Sequence, residues 1–598
     1  MRVRIAFGDP NFDRRSPVGM LRSDPGLLYY FTERIVESGG APPADFRADP
    51  RVEHPDLTDV PAQFTVGQEF VVAWAHRLLG GGAPLHVTCT WIMALWASLT
   101  ALCVFGLALE LGGSVRAASL AAALFTGMPA NYRTIGWILM SEDFSLPWFA
   151  LHLFLLARAA RVRSPAAILL ATIALGVAIS TWHATSFLFA LEVACAFAWF
   201  LRTGSNPLRA RHAWIVPATL LAFGFAVPVL RHTAFALSLP MQMLLALLAA
   251  AVWPRRLVAV GAWLALAGAA WLGARIPGSG LGEYGHVFAL VAAKVSHLGV
   301  LPADPGSLPI EARMMWQGPF ATLSPATGLR LLGIGLLAIA PALALALRAA
   351  RRGREVDADG RIVLLAAFAC VSIPVAWLVE RTVLLPGFLL PAVAGWALAR
   401  RPSVRPFLPL LALAAVLAQG IAGVRYLSGR PLSWYSPLQV AEIRALVEAI
   451  PARVPEGEAI AADFVNSTAI LAHTGHGIVF QPKWETKRSR ERAAEFLTTF
   501  FRGTPAAMRK LLRDRYDCRY VVFDRFTLGI LQASRYVAGI PADWSGLPLD
   551  SCAAVFLSQD EEALAGVPGY RLLYRSPPSI RQSDGSPADF FRLYELLP

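Results

Sequence analysis

Long apolar segments separated by short polar ones fill the chain between residues 86 and 425. A helix needs about 20 apolar residues to cross a bilayer, so these runs predict about 12–13 transmembrane helices. The pattern therefore indicates a polytopic α-helical membrane protein. The predicted spans lie near 86–110, 115–130, 144–162, 165–181, 183–201, 213–230, 235–252, 256–273, 326–350, 361–379, 382–399 and 405–424.

The regions around these spans are more polar. Residues 1–85 form an N-terminal region in which 63–79 has the pattern of an amphipathic helix at the membrane surface. Residues 275–325 predict a long loop inside the transmembrane domain of residues 86–425. Residues 426–598 alternate strand-like with helix-like runs, which predicts a C-terminal α/β domain. Its predicted strands lie at 458–463, 477–480, 519–524, 553–557 and 570–574.

The composition agrees with a membrane protein. Of the 598 residues 56% are hydrophobic and only 16% are charged, whereas a soluble protein carries about 25% charged residues. The net charge of +13 is typical of cytoplasmic loops that contact anionic lipid. We expect no nucleic-acid partner, because no basic cluster is interleaved with aromatic residues.

Arginines accumulate in every second loop, as in 158–163, 202–211, 351–354 and 400–405. Positive residues favour the cytoplasmic side of a membrane, so these loops are predicted to be cytoplasmic. The N-terminal region, the 131–143 loop, the 275–325 loop and the C-terminal domain then face outward from the cell (inner) membrane, toward the periplasm. Since no span precedes residue 63, we expect either a further helix upstream or a short tail that crosses unaided.

Two acidic stretches fall on this predicted external face. Asp24 precedes Pro25 at a predicted turn, and Glu142 and Asp143 begin the span that starts near residue 144. Carboxylates at a membrane surface are costly and usually mark function. Each stretch could equally cap the helix that follows it. Together they suit Mg²⁺ or Mn²⁺, which prefer oxygen ligands.

Three further residues on the same face are candidates for function. Arg381 stands at the external end of two spans, where a guanidinium suits a phosphate, or where it snorkels beside Glu380. Arg133 is alone in its loop and either binds an anion or pairs with Glu142. Glu311 lies in the long loop, where a charge exposed to solvent is the alternative to a functional role.

Several motifs, taken in order from about residue 20 to about residue 525, resemble one family. They resemble the catalytic subunit of oligosaccharyltransferases, which are large membrane glycosyltransferases of the GT-C class. The similarity lies in the combination and order of the motifs, since each alone is weak. The motifs are DPGLLYYFTERIVESG, MPANYRTIGWILMSEDF, ISTWHATSFLF, SLPIEARMMW, ERTVLLPGFLLP and IAADFVNSTAILAHTGHGIVFQPKWET.

The resemblance implies an inverting, metal-dependent glycosyltransferase with a GT-C-like fold. Its donor would be a sugar or oligosaccharide on a polyprenyl phosphate or diphosphate held beside membrane lipid, and its acceptor a protein, lipid or glycan. Asp24 and Glu142, with Asp143 as a substitute ligand, would hold Mg²⁺ or Mn²⁺. Arg381 would bind the donor phosphate, assisted by Arg133. Glu311 would hold the acceptor or a lid over it.

The sequence departs from the family at two of these motifs. Met140 stands where the first of two acids is usual. Ala461 and Ala462 replace two tryptophans of the acceptor-reading motif, while Asp463 and the aromatic Phe464 remain as acceptor-binding candidates. This departure favours a runner-up function, transfer of a polyprenyl-phosphate monosaccharide to a lipid or polysaccharide.

Two readings outside the transferase class stay open. A transporter or flippase usually carries polar groups near the bilayer midplane and internal repeats. Here the ionisable residues gather at the external ends of the spans, with Glu192 as the main exception. An inactive scaffold is the third class, and Met140, Ala461 and Ala462 are the residues that favour it.

Overall fold

The structure is a computed structural model that describes residues 2–598. It leaves out 113, 133, 135–136, 207–211, 213, 277, 353–359, 400–404, 408, 412, 415–416, 418–436, 531, 559–563, 565 and 582–586. Most of the predicted span 405–424, as well as Arg133, thus lies outside the described residues.

Helices dominate the first two thirds of the chain. The N-terminal region contains α1 (Arg2–Phe7), α2 (Ser23–Glu37), α3 (Val60–Gln63) and α4 (Gly67–Leu79). The apolar region follows with α5 (Leu85–Glu110), α6 (Val115–Gly127), α7 (Ser141–Val162), α8 (Pro165–Thr181), α9 (Ala184–Thr203), α10 (Ile215–Ala226), α11 (Pro228–His232), α12 (Leu239–Val252), α13 (Arg256–Gly273), α14 (Gly285–Ser296), α15 (Ile310–Met315), α16 (Pro325–Leu332), α17 (Ile339–Arg352), α18 (Gly360–Leu378) and α19 (Leu384–Ala399).

The C-terminal region combines short helices with a mixed sheet. Its helices are α20 (Pro437–Ala449), α21 (Ser467–Thr474), α22 (Lys487–Arg502), α23 (Pro505–Lys510), α24 (Gln532–Val537) and α25 (Cys552–Phe556). The strands of the chain are β1 (Asp49–Glu53), β2 (Asp56–Thr58), β3 (Ile460–Ala461), β4 (Tyr520–Asp524), β5 (Tyr570–Arg575), β6 (Pro578–Arg581), β7 (Pro587–Asp589) and β8 (Phe591–Leu596).

Strand order in the four-stranded sheet is β3-β4-β8-β5. β3 and β4 are parallel, with Ile460 opposite Tyr520, and the other two pairings are antiparallel. A hairpin of β1 and β2 lies in the N-terminal region, and β6 and β7 form a second one. The predicted mixture of helices and strands is confirmed, and the sheet is mixed rather than parallel.

By length and composition, four helices among the described residues are able to cross a membrane. They are Leu85–Glu110, Ala184–Thr203, Arg256–Gly273 and Glu380–Leu398, the last including a 3₁₀ turn before α19. Six further apolar helices are 10–17 residues long. The apolar core of this bundle includes Phe149, Leu175, Leu220 and Phe388, which are fully buried.

The structure differs from the sequence prediction in three places, and local chemistry explains the first two. The predicted strand at 553–557 is the helix α25, because the Ser551 side chain accepts a hydrogen bond from the Ala554 N–H and caps a helix. The predicted span 213–230 divides into α10 and α11, because Pro228 disfavours a helical Val227, which is extended. The predicted loop 275–325 contains the apolar helix α14.

The N-terminal region packs directly against the C-terminal region. Leu27, Phe31 and Val60 share one buried cluster with Leu471 and Ile478 from the other end of the chain. The backbone pairs as well, since His54 N–H donates to the Ile478 carbonyl at 2.9 Å and Ile478 N–H donates to the Arg51 carbonyl at 2.7 Å. The start of the chain is therefore held between the helical bundle and the sheet.

Candidate active site

Asp24 lies in the first turn of α2, and the C-terminal region fixes that turn. Ser23 N–H donates to the Val465 carbonyl at 2.8 Å, and the Thr468 hydroxyl donates to the Ser23 carbonyl at 3.0 Å. A Cβ on Gly26 would come within 2.7 Å of the Thr468 hydroxyl, so glycine permits this approach. Ser23 has a φ of 53°, an uncommon conformation for a residue with a Cβ. The backbone before Asp24 is thus held in one position.

Two other elements bring partners to Asp24. Glu142 lies in the first turn of α7, and Arg381 lies in the 3₁₀ turn Glu380–Val383 that precedes α19. An Arg381 Nη2 atom lies 2.6 Å from Glu142 Oε2 and 3.8 Å from Asp24 Oδ2. The Arg381 guanidinium also lies 5.6 Å from the ring centre of Trp182 and 5.8 Å from that of Phe320. One arginine therefore joins two carboxylates that are 118 residues apart in the sequence.

The electrostatics of Asp24 reflect a partly buried, mixed-charge site. Burial raises the pKa of the Asp24 carboxyl above its ordinary value, and the charges of Lys483 and then Arg381 oppose this rise. Glu485 and Glu142 act in the same direction as burial. The site thus contains three acids and two bases contributed by four separate parts of the chain.

Asp143 faces a different set of groups from its neighbour Glu142. Thr134 donates its hydroxyl to Asp143 Oδ1 at 2.6 Å, and Arg2 Nη1 lies 3.6 Å from the same oxygen. Glu142 and Asp143 therefore do not meet Asp24 together. The role of Asp143 as a substitute metal ligand stays a prediction, and Arg133 lies outside the described residues.

Glu311 lies on α15 and lines a cavity of about 350 Å³ between α15 and α22. Charged side chains of both signs share this cavity with it, namely Lys487, Arg490, Glu491, Glu495 and Arg515. Arg490 also holds the backbone that follows Lys483, because it donates to the Trp484 and Glu485 main-chain carbonyls, each at 2.9 Å. Among the described residues, the contacts of Arg381 are with Glu142, Asp24, Trp182 and Phe320, and Glu311 is not one of them.

Asp463 is fully buried and organises the turn that holds α2. It accepts hydrogen bonds from the Val465 and Asn466 N–H groups at 2.8 and 3.2 Å. The Asn466 amide bridges Asp463 and Asp524 at 2.8 and 2.9 Å. Burial and the charge of Asp463 raise the pKa of Asp524 to about 7. Phe464 packs edge-on against Trp484, with ring centres 4.9 Å apart.

Sequence reasoning missed Asp524, Lys483, Glu485 and Glu69 as parts of this region. The sequence offers a signal for Lys483, because only four of the 54 basic residues are lysines. Asp524 is the last residue of a strand-like run, and acidic residues at the ends of strands often belong to functional sites. No local signal marks Glu485 or Glu69.

Glu69 on α4 is fully buried. Among the described residues, both of its carboxylate oxygens lack a hydrogen-bond partner, as do both polar atoms of the adjacent Gln68. Burial raises the pKa of Glu69 to about 7, although the charge of Lys483 opposes the rise. This carboxyl therefore belongs to the same electrostatic neighbourhood as Asp24.

Glu69→Gln is expected to stabilise the protein at pH 8 and to change it little at pH 5. The folded-state pKa of Glu69 exceeds the ordinary value of 4.5, so the folded state binds more protons between these values. The stability that this proton uptake contributes is present below pH 4.5 and is lost as pH rises through about 7. Glutamine removes the buried charge, a gain of up to about 3 kcal/mol at pH 8.

Thermal unfolding in detergent at pH 5 and pH 8 measures this effect. Glu448→Gln, at an exposed position of α20, is the matched control and should show the same small change at both values. An equal shift of the Glu69→Gln melting temperature at both pH values would contradict the assignment.

The donor set suits a cation that takes few protein ligands. Within the described part of the chain, no three or more His, Cys, Asp or Glu side chains gather as a protein-only cage would need. Mg²⁺ commonly binds one or two carboxylates together with water and substrate phosphate oxygens. Asp24 and Glu142, which converge on one guanidinium, fit that smaller set.

Comparison with known proteins gives a clear result only for the fold. No family model and no curated protein matches the chain. The apo crystal structure of the Archaeoglobus fulgidus oligosaccharyltransferase matches 100% of this chain and 88% of its own, at 15% identity and a TM-score of 0.61. The structure of AglB from the same organism, with an inhibitory peptide and a dolichol-phosphate, matches at 14% identity, 100% and 87% coverage, and a TM-score of 0.65.

A third structure of the Archaeoglobus fulgidus protein, in complex with Zn and sulfate, matches at 15% identity and a TM-score of 0.58, with 100% and 88% coverage. These likenesses confirm the predicted resemblance and fold class. The chain has the fold of the archaeal oligosaccharyltransferase, and a mixed four-stranded sheet lies toward its C-terminal end.

Proposed function

We propose that this protein is a GT-C membrane glycosyltransferase that uses a polyprenyl phosphate- or diphosphate-linked donor. The observation that carries the proposal is the meeting of Asp24 and Glu142 at Arg381, at the ends of three elements. The structures that share its fold were solved with a dolichol-phosphate and with an acceptor peptide, which supports a lipid-linked donor.

The proposed reaction is an inverting displacement at the anomeric carbon of the sugar. An acceptor atom forms a bond to this carbon, and the bond to the donor phosphate oxygen breaks. Arg381 would bind the departing phosphate through charge-assisted hydrogen bonds. Asp24 and Glu142 would hold Mg²⁺ or Mn²⁺, which as a Lewis acid stabilises negative charge on a leaving phosphate.

On the acceptor side, we propose that Glu311 positions the acceptor from the cavity between α15 and α22. The described geometry favours an acceptor other than a protein sequon. Ala461, Ala462 and Asp463 are all fully buried, and Asp463 is engaged by its own turn. This observation supports the second candidate, transfer of a monosaccharide to a lipid or polysaccharide.

The site is proposed to face the periplasmic side of the cell (inner) membrane. The arginines of alternate loops support this orientation, since they favour the cytoplasm. Asp24, Glu142 and Arg381 would then all lie at the external surface, where a lipid-linked donor presents its head group. The carrier lipid would pack against the apolar helices.

Mass spectrometry of envelope glycans from cells with and without the gene tests this function. We expect one sugar-bearing species to disappear without the gene and to return when the parent gene is restored, but not when the Glu142→Gln variant is restored. Loss from proteins would support the oligosaccharyltransferase-like reading, and loss from lipids or polysaccharides the second candidate. Identical glycans in all strains would contradict both.

A further inference from the structure

Lys294 lies near the end of α14, and its side chain is fully buried. Its ammonium donates to the Leu378 carbonyl at 2.6 Å, to the Thr322 hydroxyl at 3.3 Å and to the Phe320 carbonyl. A lysine ammonium has three N–H donors, so these three acceptors match its full capacity. The acceptors come from two separate segments, residues 320–322 and the end of α18.

The two segments that the lysine joins also pair with each other through their main chains. Leu323 N–H donates to the Trp377 carbonyl at 2.8 Å. Glu380 N–H donates to the Ala321 carbonyl at 2.9 Å. Lys294 therefore adds side-chain hydrogen bonds to a main-chain pairing, which fixes one segment against the other.

Both segments lead directly to Arg381. Leu378 precedes this arginine by three residues in the chain. Phe320 gives its carbonyl to Lys294, and its ring centre lies 5.8 Å from the Arg381 guanidinium. The same guanidinium lies 2.6 Å from Glu142. A shift of either segment would therefore move the guanidinium relative to the acid that it contacts.

Capping of α18 is the alternative role for Lys294. Cations near a helix C-terminus stabilise its last carbonyls, and Leu378 is the last residue of α18. Capping does not account for the donors given to Phe320 and Thr322, which belong to the other segment. A buried ammonium is costly, and an apolar side chain would fill the same space without that cost. The lysine is thus better explained by what its bonds hold in place.

We propose that Lys294 is a positioning residue, which holds the turn that carries Arg381 so that the guanidinium meets Glu142 and Asp24. This proposal rests on the proposed function, because Lys294 acts on sugar transfer only through Arg381. Its own donors are given to the protein rather than to a substrate. Misplacement of a binding group by about 1 Å costs up to about 100-fold in rate, so loss of the lysine should reduce transfer.

A double-mutant cycle on sugar transfer by the full-length protein in detergent tests the proposal. Lys294→Met keeps an unbranched chain of similar length and removes all three donors. It should lower kcat/KM at least about tenfold in the parent and less than about threefold in Arg381→Lys, because a flexible lysine depends less on the turn than a planar guanidinium does. Lys510→Met, at an exposed lysine of the C-terminal region, should leave both backgrounds unchanged.

A purely structural role gives a different result. Destabilisation by Lys294→Met would lower transfer by the same factor in both backgrounds, since it does not depend on the residue at position 381. Equal factors would therefore overturn the proposal and leave the proposed function intact, as would parent-like transfer by Lys294→Met. A parent that transfers no sugar would overturn the proposed function, and the proposal would fall with it.

Thr322→Val is the second variant, for use if Lys294→Met does not fold. Valine keeps the shape of threonine and removes the hydroxyl that accepts from the ammonium. The expected loss in kcat/KM is at least about threefold in the parent and is absent in Arg381→Lys, because one of three hydrogen bonds is removed. Parent-like transfer by this variant, or an equal loss in both backgrounds, would overturn the proposal.

Discussion

Glu142→Gln is expected to reduce sugar transfer at least about 100-fold while the protein stays folded. The Glu142 side chain is 1% exposed and lies 2.6 Å from Arg381, so its charge acts in a desolvated place. Glutamine keeps the size and one acceptor oxygen, but it loses the charge that would hold a cation or orient Arg381. Transfer from a labelled polyprenyl-linked sugar in detergent measures the loss.

Asp143→Asn is the matched control for this prediction. Asp143 contacts Thr134 and Arg2 rather than Arg381, so its neutral variant should retain most of the activity. Wild-type rates for Glu142→Gln would remove Glu142 from the site. Loss in Asp143→Asn equal to that in Glu142→Gln would support the predicted role of Asp143 as a substitute metal ligand.

Arg381→Lys is expected to weaken donor binding by ~1–3 kcal/mol, the range for a hydrogen bond to a charged group. Lysine keeps the positive charge but loses the planar fork that binds a phosphate through two parallel bonds. It also loses the planar surface that lies near the rings of Trp182 and Phe320. Affinities for diphosphate- and monophosphate-linked sugars measure the effect.

Arg453→Lys, at an exposed arginine of the C-terminal region, should leave both affinities unchanged. Equal affinities of the parent and Arg381→Lys for both donors would exclude Arg381 from the site. A loss confined to the diphosphate donor would favour the oligosaccharyltransferase-like function over the monosaccharide transferase.

That Asp24, Glu142 and Arg381 lie close together was predictable from the side of the membrane assigned to each loop. The individual contacts between them were not predictable. Arginine alternation places Asp24, Glu142 and Arg381 on one face, and the structure brings all three together. The arginine alternation does not predict which of Glu142 and Asp143 faces Arg381. Adjacent helix positions point about 100° apart, and the sequence does not fix the residue at which α7 begins.

The sequence pattern did not predict the residues whose surroundings come from distant parts of the chain. Glu69 occupies an amphipathic segment that reads as interfacial, but its burial depends on packing against other elements. Lys483 follows the strand-like run at 477–480, and its sequence context is that of an ordinary loop lysine. Only the structure shows its contacts with Gln481 and Glu485. The strand predicted at 553–557 failed because capping by Ser551 outweighed the β-propensity of Val555 and Phe556.

The hydrogen bond between Ser23 and Thr468 joins residues that are 445 positions apart. The ribosome therefore synthesises most of the chain before the partner that fixes Asp24 exists. Helices of the bundle are able to form earlier, as each emerges from the ribosome. Chains are synthesised at about 5–20 residues per second, so at least about 20 seconds separate the synthesis of Asp24 from that of Thr468. The anchored position of Asp24 thus forms late in biosynthesis, and a nascent chain that stalls within the bundle lacks it.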